Sequence, residues 1–238
     1  MARSGNPATP QMLIAAATAV FADKGLAEAK VHDITELAGV SKGSFYLHFA
    51  SKEALFEQIC RAFIDDVVSH MEGYGAVMCA GADVGPDLIH RLAKADEGLL
   101  DLMWERRQHL SMVLHGAMAT QASTLTDEFV DAIERTMRAT IVDAHAVLPF
   151  QAPMSPDFLA AMAAGLLLMF ARRLVRSGER PQISRDVHHF RRILMIGGVL
   201  TSDQLDHMLA EFGAHISRSS STPIADACTS PSERRSLQ

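Results

Sequence analysis

The sequence has few of the residues that build disulfide, zinc or membrane architectures. Its three cysteines are odd in number and widely spaced, so neither a disulfide framework nor a zinc-binding pattern is visible. This favours a reducing cytoplasm, in which Cys60 would be a small buried apolar group. No apolar run of the signal-peptide type lies at the N-terminus. The longest run without a polar or charged residue, 158–171, is shorter than the roughly 20 residues that cross a bilayer. We therefore expect a cytoplasmic protein without a membrane partner, with 158–171 in a buried helix.

Net positive charge is also lacking. The formal net charge of −6 argues against a protein that coats nucleic acid indiscriminately. The first 55 residues, however, carry five Lys/Arg and five Asp/Glu, whereas residues 56–217 carry 14 against 21. Any surface that binds a polyanion must therefore lie in the first quarter of the chain.

Sustained two-residue alternation is missing, and apolar residues recur at helical spacing almost throughout the chain. We therefore predict an all-α fold. A Gly/Ala-rich loop is expected at 75–85, and the Ser/Thr/Pro-rich tail is expected to be disordered. Capping and breaking residues place the helices at about 10–25, 31–37, 42–49, 52–73, 86–115 with a break near Arg106, 124–147, 156–175, 184–200 and 201–216.

The segment Gly39–Gly43, GVSKG, matches the G-x-S-x-G pattern of hydrolase nucleophiles. That motif needs a strand before the serine and a helix after it, so that a strained turn projects the hydroxyl above a sheet. Here the preceding VHDITELA has helical spacing, so we expect Ser41 to cap a helix. A serine hydrolase that uses Ser41 remains the alternative, and an ester assay on the Ser41→Ala variant would test it.

Two short helices joined by a glycine-containing turn favour a helix-turn-helix unit. Ile34, Leu37 and Ala38 of the first short helix are expected to point inward. Lys30 and Lys52 flank the outer face at helix N-termini, where free N–H groups and the helix dipole favour phosphate. The side chains of the outer face are His32, Lys42, Ser44, Tyr46, Leu47 and His48.

These residues resemble the DNA-binding segment of the TetR family of bacterial repressors. The similar features are the I-x-x-x-A-G-V-S turn, the G-S-F-Y-x-H-F recognition helix and S-K-E-x-L at the start of the fourth helix. The resemblance covers about residues 10–57, and beyond them only the all-helical layout and the chain length are similar. Two positions depart from the family pattern. Thr35 stands where Ala is usual, and Ala29-Lys30 replaces a Thr pair, so Lys30 is the candidate substitute for a lost hydroxyl-to-phosphate contact.

The resemblance implies a domain organisation and a function. It implies a three-helix helix-turn-helix DNA-binding domain at 1–55, a helical ligand-binding and dimerisation domain at 56–217, and a tail at 218–238. The implied function is a transcriptional regulator, a repressor that binds a palindromic operator as a homodimer and is released by an apolar small molecule. A thiol-based redox switch through Cys60 or Cys79 is a further alternative, although no basic environment surrounds either cysteine.

Most of the expected DNA contacts come from the recognition helix. Lys42 would reach a base edge or a phosphate, Leu47 a thymine methyl, and Gly43 would let the helix approach the backbone closely. The resemblance assigns phosphate contacts to Tyr46 and His48, with core packing of Tyr46 as the alternative. The complete expected set is Lys30, His32, Ser41, Lys42, Gly43, Ser44, Tyr46, Leu47, His48 and Lys52.

Lys30, His32 and Lys52 are expected contacts outside that helix. Lys52, at the start of the fourth helix, is a candidate phosphate ligand because its charge adds to the helix N-terminus. His32 is equally compatible with a phosphate contact and with solvent.

The helices at about 86–146 resemble the ligand chamber of the family. For each candidate lining residue, ordinary core packing is the alternative. We predict no catalytic residue and no cofactor. A metal site is not expected either, because the available histidines lie on different helix faces. The candidate lining residues are Trp104, His109, Met112, His115, Met118, Phe129, Ile133 and Met137.

The expected homodimer surface pairs the helix at 156–176 with the one at 185–200, as the family's last two long helices do. Burial of the first helix inside one subunit is the alternative. Leu167, Leu168 and Phe170 would supply apolar area. The residues small enough to allow close approach are Ala160, Ala161, Ala163, Ala164, Gly165 and Ala171.

Overall fold

The structure is a computed structural model that describes residues 9–79, 86–115, 123–147 and 155–177, together with residue 210. The described residues form helices and contain no strand, which confirms the predicted all-α class. Apart from residue 210, the helices predicted at 184–200 and 201–216 lie outside the described residues, as does the tail. The helices are α1 Thr9–Glu28, α2 Val31–Leu37, α3 Lys42–His48, α4 Lys52–Cys79, α5 Pro86–Glu105, α6 Arg107–His115, α7 Ser123–Val147 and α8 Pro156–Ser177.

Helices α1 to α3 pack around one apolar core at the N-terminal end. The regular part of α1 ends at Gly25, whose φ of 73° is a left-handed conformation that glycine adopts without strain. Gly39 has φ 66° in the turn between α2 and α3, as a tight helix-turn-helix connection requires. The buried side chains of α1 are Thr9, Leu13, Ala16, Ala17, Thr18, Val20 and Phe21.

The inward face of α2 differs from the prediction at one position. Ile34 and Ala38 are buried as expected, but Leu37 is 61% exposed, so its predicted inward orientation is wrong. Leu37 lies two residues after buried Thr35 and is therefore about 200° away from it around the helix. The extra hydroxyl of Thr35 is satisfied inside α2, because Oγ1 donates to the carbonyl oxygen of His32 at 3.0 Å.

The long helix α4 joins the two predicted domains. It packs against α1, α5, α6 and α7, and the predicted domain boundary at residue 55 lies in its first turn. The predicted loop at 75–85 is wrong for its first five residues, which continue α4 to Cys79. The reason is tertiary: a β-carbon on Gly75 would lie 2.9 Å from Oγ1 of Thr140, so Gly75 marks a close approach of α4 to α7.

The remaining helices enclose a second part of the core. The predicted break near Arg106 is confirmed, since α5 ends at Glu105 and α6 begins at Arg107. Arg61 of α4 donates to Glu57 and to Glu128 of α7, at 3.1 to 3.3 Å. Helix α6 also packs against α1, so the C-terminal helices touch the N-terminal domain directly.

Helix α8 is amphipathic only in part. Among the described helices, it is long and apolar enough to cross a membrane by length and composition. Ala160, Ala164 and Ala171, which we expected at a dimer surface, are instead buried in their own chain, where α8 packs on α6 and α7. The expectation of a fully buried helix is wrong for the opposite face. That face exposes four large apolar side chains: Phe158, Met162, Leu166 and Met169.

Candidate nucleic-acid interface

Local hydrogen bonds and one buried ring fix the recognition helix α3. Ser41 caps it as predicted, since its Oγ accepts from the backbone N–H of Ser44 at 3.1 Å and lies 3.0 Å from the Ser44 hydroxyl. Phe45 is fully buried and packs at 5.7 Å from the ring of Phe49, which holds α3 against the core. Ser41 thus lies between two helices, and the strand-to-helix elbow that a hydrolase serine needs is not formed there.

Apart from buried Phe45, α3 presents the expected contact residues to solvent. Leu47 is 80% exposed and Tyr46 is 52% exposed, and Lys42, Gly43 and His48 are exposed as well. The Tyr46 ring makes only an edge contact with Phe45, at 5.3 Å between centroids. We therefore set aside the alternative in which Tyr46 is a core residue. An exposed leucine beside a lysine and a tyrosine forms a surface that can meet base edges and phosphates.

The start of α2 carries an ion pair that the sequence reading missed. One oxygen of the Asp33 carboxylate, Oδ2, accepts from the Lys24 ammonium at 2.9 Å and from the backbone N–H of Lys30 at 3.2 Å. The hydrogen bond from Lys24 lowers the pKa of Asp33, and the Lys30 backbone adds to the effect. An acid three residues after a helix start is a signal for such a cap, but nothing local identifies Lys24 as its partner.

The two expected contacts on α2 are exposed. The Lys30 side chain is free to reach outward, because only its backbone takes part in the cap. His32 lies 3.7 Å from a carboxylate oxygen of Glu36, one turn away. This acidic neighbour would also meet an approaching phosphate, so it weakens the case for His32 and leaves Lys30 as the better candidate.

Lys52 lies differently from the expectation. Its ammonium donates to the backbone carbonyl oxygens of Leu26 at 2.8 Å, Ala27 at 3.2 Å and Ala29 at 2.8 Å. An ammonium group has three N–H donors, so this arrangement leaves none for a phosphate. The structure thus gives Lys52 a role inside the protein, at the end of α1.

Comparison with known proteins agrees with this geometry. Residues 13–59 match the family of bacterial regulatory proteins named tetR. The transcriptional repressor KstR2 of Rhodococcus jostii is 36% identical over 80 residues, which are 34% of this chain and 38% of that protein. The transcriptional repressor DhaR of a Mycobacterium species is 46% identical over 57 residues, 24% of this chain and 29% of that protein. Residues 13–59 are therefore a DNA-binding segment of the TetR family.

The likeness in sequence is concentrated in this DNA-binding segment. The matched part spans well under half the length of these curated relatives. Solved structures extend the likeness in fold. A TetR-family regulator from Syntrophomonas wolfei has a TM-score of 0.62 at 17% identity, covering 81% of this chain and 96% of its own. The SmeT–triclosan complex has a TM-score of 0.60 at 17% identity, covering 76% and 90%.

The candidate ligand residues divide into three groups. Met112, Phe129 and Ile133 are buried in the core, with Met137 half-buried against it. His115, the last residue of α6, is exposed and does not join them. Met118 lies outside the described residues.

Trp104 and His109 belong to the third group, which contacts charged side chains. The guanidinium of Arg107 lies 4.8 Å from the Trp104 ring, so one face of the indole is already covered. The His109 ring stacks on Phe63 at 6.0 Å, and its Nδ1 is buried without a hydrogen-bond partner among the described residues. Burial lowers the pKa of His109, and the positive charge of Arg106 lowers it further.

Cys60 lies where a thiol is unreactive. It is fully buried on α4, and burial, with a further contribution from the charge of Glu57, raises the pKa of its thiol to about 12. Because the thiolate is the reactive form, this position argues against a redox switch through Cys60. The side chain of Cys79 lies outside the described residues.

Proposed function

We propose that this TetR-family chain is a transcriptional repressor that reads duplex DNA with α3. The observation that carries the proposal is the exposure of Lys42, Tyr46 and Leu47 on a helix that buried Phe45 fixes against the core. Lys42 would bind a phosphate or a guanine edge, and Leu47 would contact a thymine methyl. The repressors KstR2 and DhaR, to which the DNA-binding segment is similar, support this role.

A homodimer would contact more base pairs than one short α3 helix can. The exposed apolar face of α8, made by Phe158, Met162, Leu166 and Met169, has the character of a surface that a second copy covers. A two-fold pair would place both α3 helices about 34–36 Å apart, one turn of DNA, and so select an inverted repeat. The proposed surface is therefore the outer face of α8 and not its row of alanines.

Release by an apolar small molecule completes the proposal. A coupling of about 1–3 kcal/mol between effector and operator would weaken DNA binding roughly 5- to 150-fold. Helix α4 would carry the change, since it runs from the DNA-binding helices to the core formed with α5, α6 and α7. The solved SmeT–triclosan complex is a protein of this fold with a largely apolar ligand, which supports the class of effector.

The test of DNA reading starts with selection of bound duplexes from a random library. We expect an inverted repeat to be enriched. The double variant Lys42→Ala with Tyr46→Ala should lose binding to the selected duplex while keeping the helical circular-dichroism signal. The matched control, Lys94→Ala with Gln108→Ala, changes two exposed residues far along the chain and should bind as the wild type does. Undiminished binding by the first double variant would refute the proposal.

The test of the dimer uses charge on the outer face of α8. Met162→Glu with Met169→Glu should convert the protein to a monomer in analytical ultracentrifugation, because two carboxylates would be buried without partners. Ala139→Glu, on an exposed position of α7, is the control and should leave the assembly state unchanged. A dimer that survives the first change would place the interface elsewhere.

A further inference from the structure

The Lys52 ammonium contacts the backbone at the end of α1, within the DNA-binding domain. Three carbonyl oxygens, those of Leu26, Ala27 and Ala29, converge on Nζ at 2.8, 3.2 and 2.8 Å. They lie just after Gly25, where the left-handed turn ends the regular part of α1 and leaves carbonyls without helical partners. The side chain is 23% exposed, so these bonds are only partly open to competition from water.

The electrostatics favour this arrangement over an outward one. A positive charge is unfavourable at the N-terminus of its own helix α4 but favourable at the C-terminal end of α1, where the carbonyl ends of the dipoles lie. The nearest acidic group is Glu53, at 3.9 Å, which is too far for a strong hydrogen bond. The carbonyl cluster is therefore the main partner of this charge.

The contact connects the first residue of α4 with the start of the helix-turn-helix. Ala29, one of the three acceptors, immediately precedes Lys30, and the Lys30 backbone begins α2 through its bond to Asp33. A shift of the first turn of α4 would thus act on the end of α1 and on the start of α2 together. The orientation of α3 follows from that of α2, because the two pack through the short turn at Gly39.

We infer that Lys52 is a positioning residue of the DNA interface: it holds the α1–α2 link against α4 and does not bind a phosphate. This inference rests on the proposed DNA binding. It predicts that Lys52 sets how well α3 fits its operator, while it contributes nothing to the count of neutralised phosphates.

Two variants separate positioning from phosphate binding. Lys52→Met keeps the length of the side chain and removes the ammonium. Lys52→Arg keeps the charge, but the donors of a planar guanidinium lie on several nitrogens. They cannot reproduce three hydrogen bonds donated by a single nitrogen atom. A phosphate contact would survive the change to arginine, which binds phosphate well, whereas the carbonyl cluster would not.

The experiment measures the dissociation constants of the full chain for a selected operator and for an unrelated duplex, across a series of salt concentrations. For both variants we expect operator binding to weaken by about tenfold, the factor that roughly 1.4 kcal/mol represents. Binding to the unrelated duplex should stay within about twofold, and the salt slope of operator binding should match the wild type. If Lys52 only stabilised the fold, its replacement would lower thermal stability. The ratio of the dissociation constants for the operator and the unrelated duplex would then stay unchanged.

The opposite results would overturn the inference. For Lys52→Met, one such result is a salt slope of operator binding that is shallower than that of the wild type by about 0.9 for each lost phosphate contact. Another is an equal loss of affinity for the operator and for the unrelated duplex. Full operator binding by Lys52→Arg would also overturn it.

Hydrogen exchange gives a readout without DNA. In Lys52→Met, the amides of Ala29 and Ile34, which are bonded to the carbonyl oxygens of Gly25 and Lys30, should exchange faster than those in the middle of α4. Unchanged exchange there would refute the link. A wild type that binds no duplex while these amides respond would instead refute the proposed function.

Discussion

Gly98 of α5 lies against the imidazole of His70 on α4. A β-carbon on Gly98 would stand 2.9 Å from Cε1 and 3.0 Å from Nε2 of that ring. The same Nε2 is 3.2 Å from the carbonyl oxygen of Ala95, one turn earlier on α5. The ring is therefore held from two sides, and α5 can approach α4 this closely only because residue 98 lacks a side chain.

Gly98→Ala should destabilise the protein. The added methyl must displace the His70 ring and its bond to Ala95, so we expect the free energy of unfolding to fall by about 1–3 kcal/mol. Urea unfolding followed by circular dichroism measures the change. The control is Gly73→Ala on α4, where an added β-carbon has nothing within 4 Å. That variant should gain about 0.5–1 kcal/mol from helix propensity, and equal stability of the two variants would contradict the close packing.

Gly43→Ala should separate stability from DNA binding. In the free protein the new methyl would meet only the Ser41 hydroxyl, at an ordinary 3.7 Å, so the fold should be as stable as before or slightly more stable. On DNA, a methyl where α3 comes close to the sugar-phosphate backbone should weaken operator binding by about tenfold or more. Thermal melts and fluorescence anisotropy measure the two effects. Binding equal to that of Gly73→Ala would show that Gly43 lies away from the backbone.

His109 should make the protein less stable in mild acid. The folded state lowers the pKa of the ring, mainly by burial, while the unfolded chain binds a proton with the ordinary pKa of 6.5. The unfolded state therefore holds more protons below about pH 6.5, and the free energy of unfolding decreases as the pH falls through 6.5 toward the lowered value. His109→Phe keeps the stack on Phe63 and cannot titrate. Urea unfolding at pH 7.5 and 5.5 should show a smaller loss for this variant than for the wild type, and equal losses would contradict the assignment.

Cys60 should resist thiol reagents in the folded protein. With a pKa of about 12, on the order of one thiol in ten thousand is ionised at pH 8. In a background with Cys79→Ser and Cys228→Ser, labelling by iodoacetamide should be very slow in buffer and rapid in denaturant. Rapid labelling of the native protein would reopen the redox alternative, which would then also require operator binding to respond to oxidant.

Spacing along the chain was enough to predict the parts of the site that depend on near neighbours. Ser41 as a cap needs only the serine and the amide three residues later. Burial of Phe45 with Leu47 outward fits their separation of about 200° around the helix. The resemblance to the TetR family rested on these same residues and is confirmed.

Contacts between distant segments decided the rest. Lys52 looked like a phosphate ligand because its sequence neighbours are those of a helix start, whereas its acceptors lie 23 to 26 residues earlier. Helix α4 continues past Gly73 and Gly75 because the surface of α7 meets it there. Ala160, Ala164 and Ala171 of α8 face inward because α6 and α7 cover them, and this leaves four of its larger apolar side chains outside.

What the sequence by itself determined is thus the helical class, the capped recognition helix and the side of it that faces outward, because hydrogen bonds and side-chain directions within a helix depend on residues at most four positions apart. Only the tertiary structure decided which lysine is bonded within the protein and which is exposed and available for DNA. A long charged side chain takes the acceptors that folding brings within its reach, and those acceptors come from other helices.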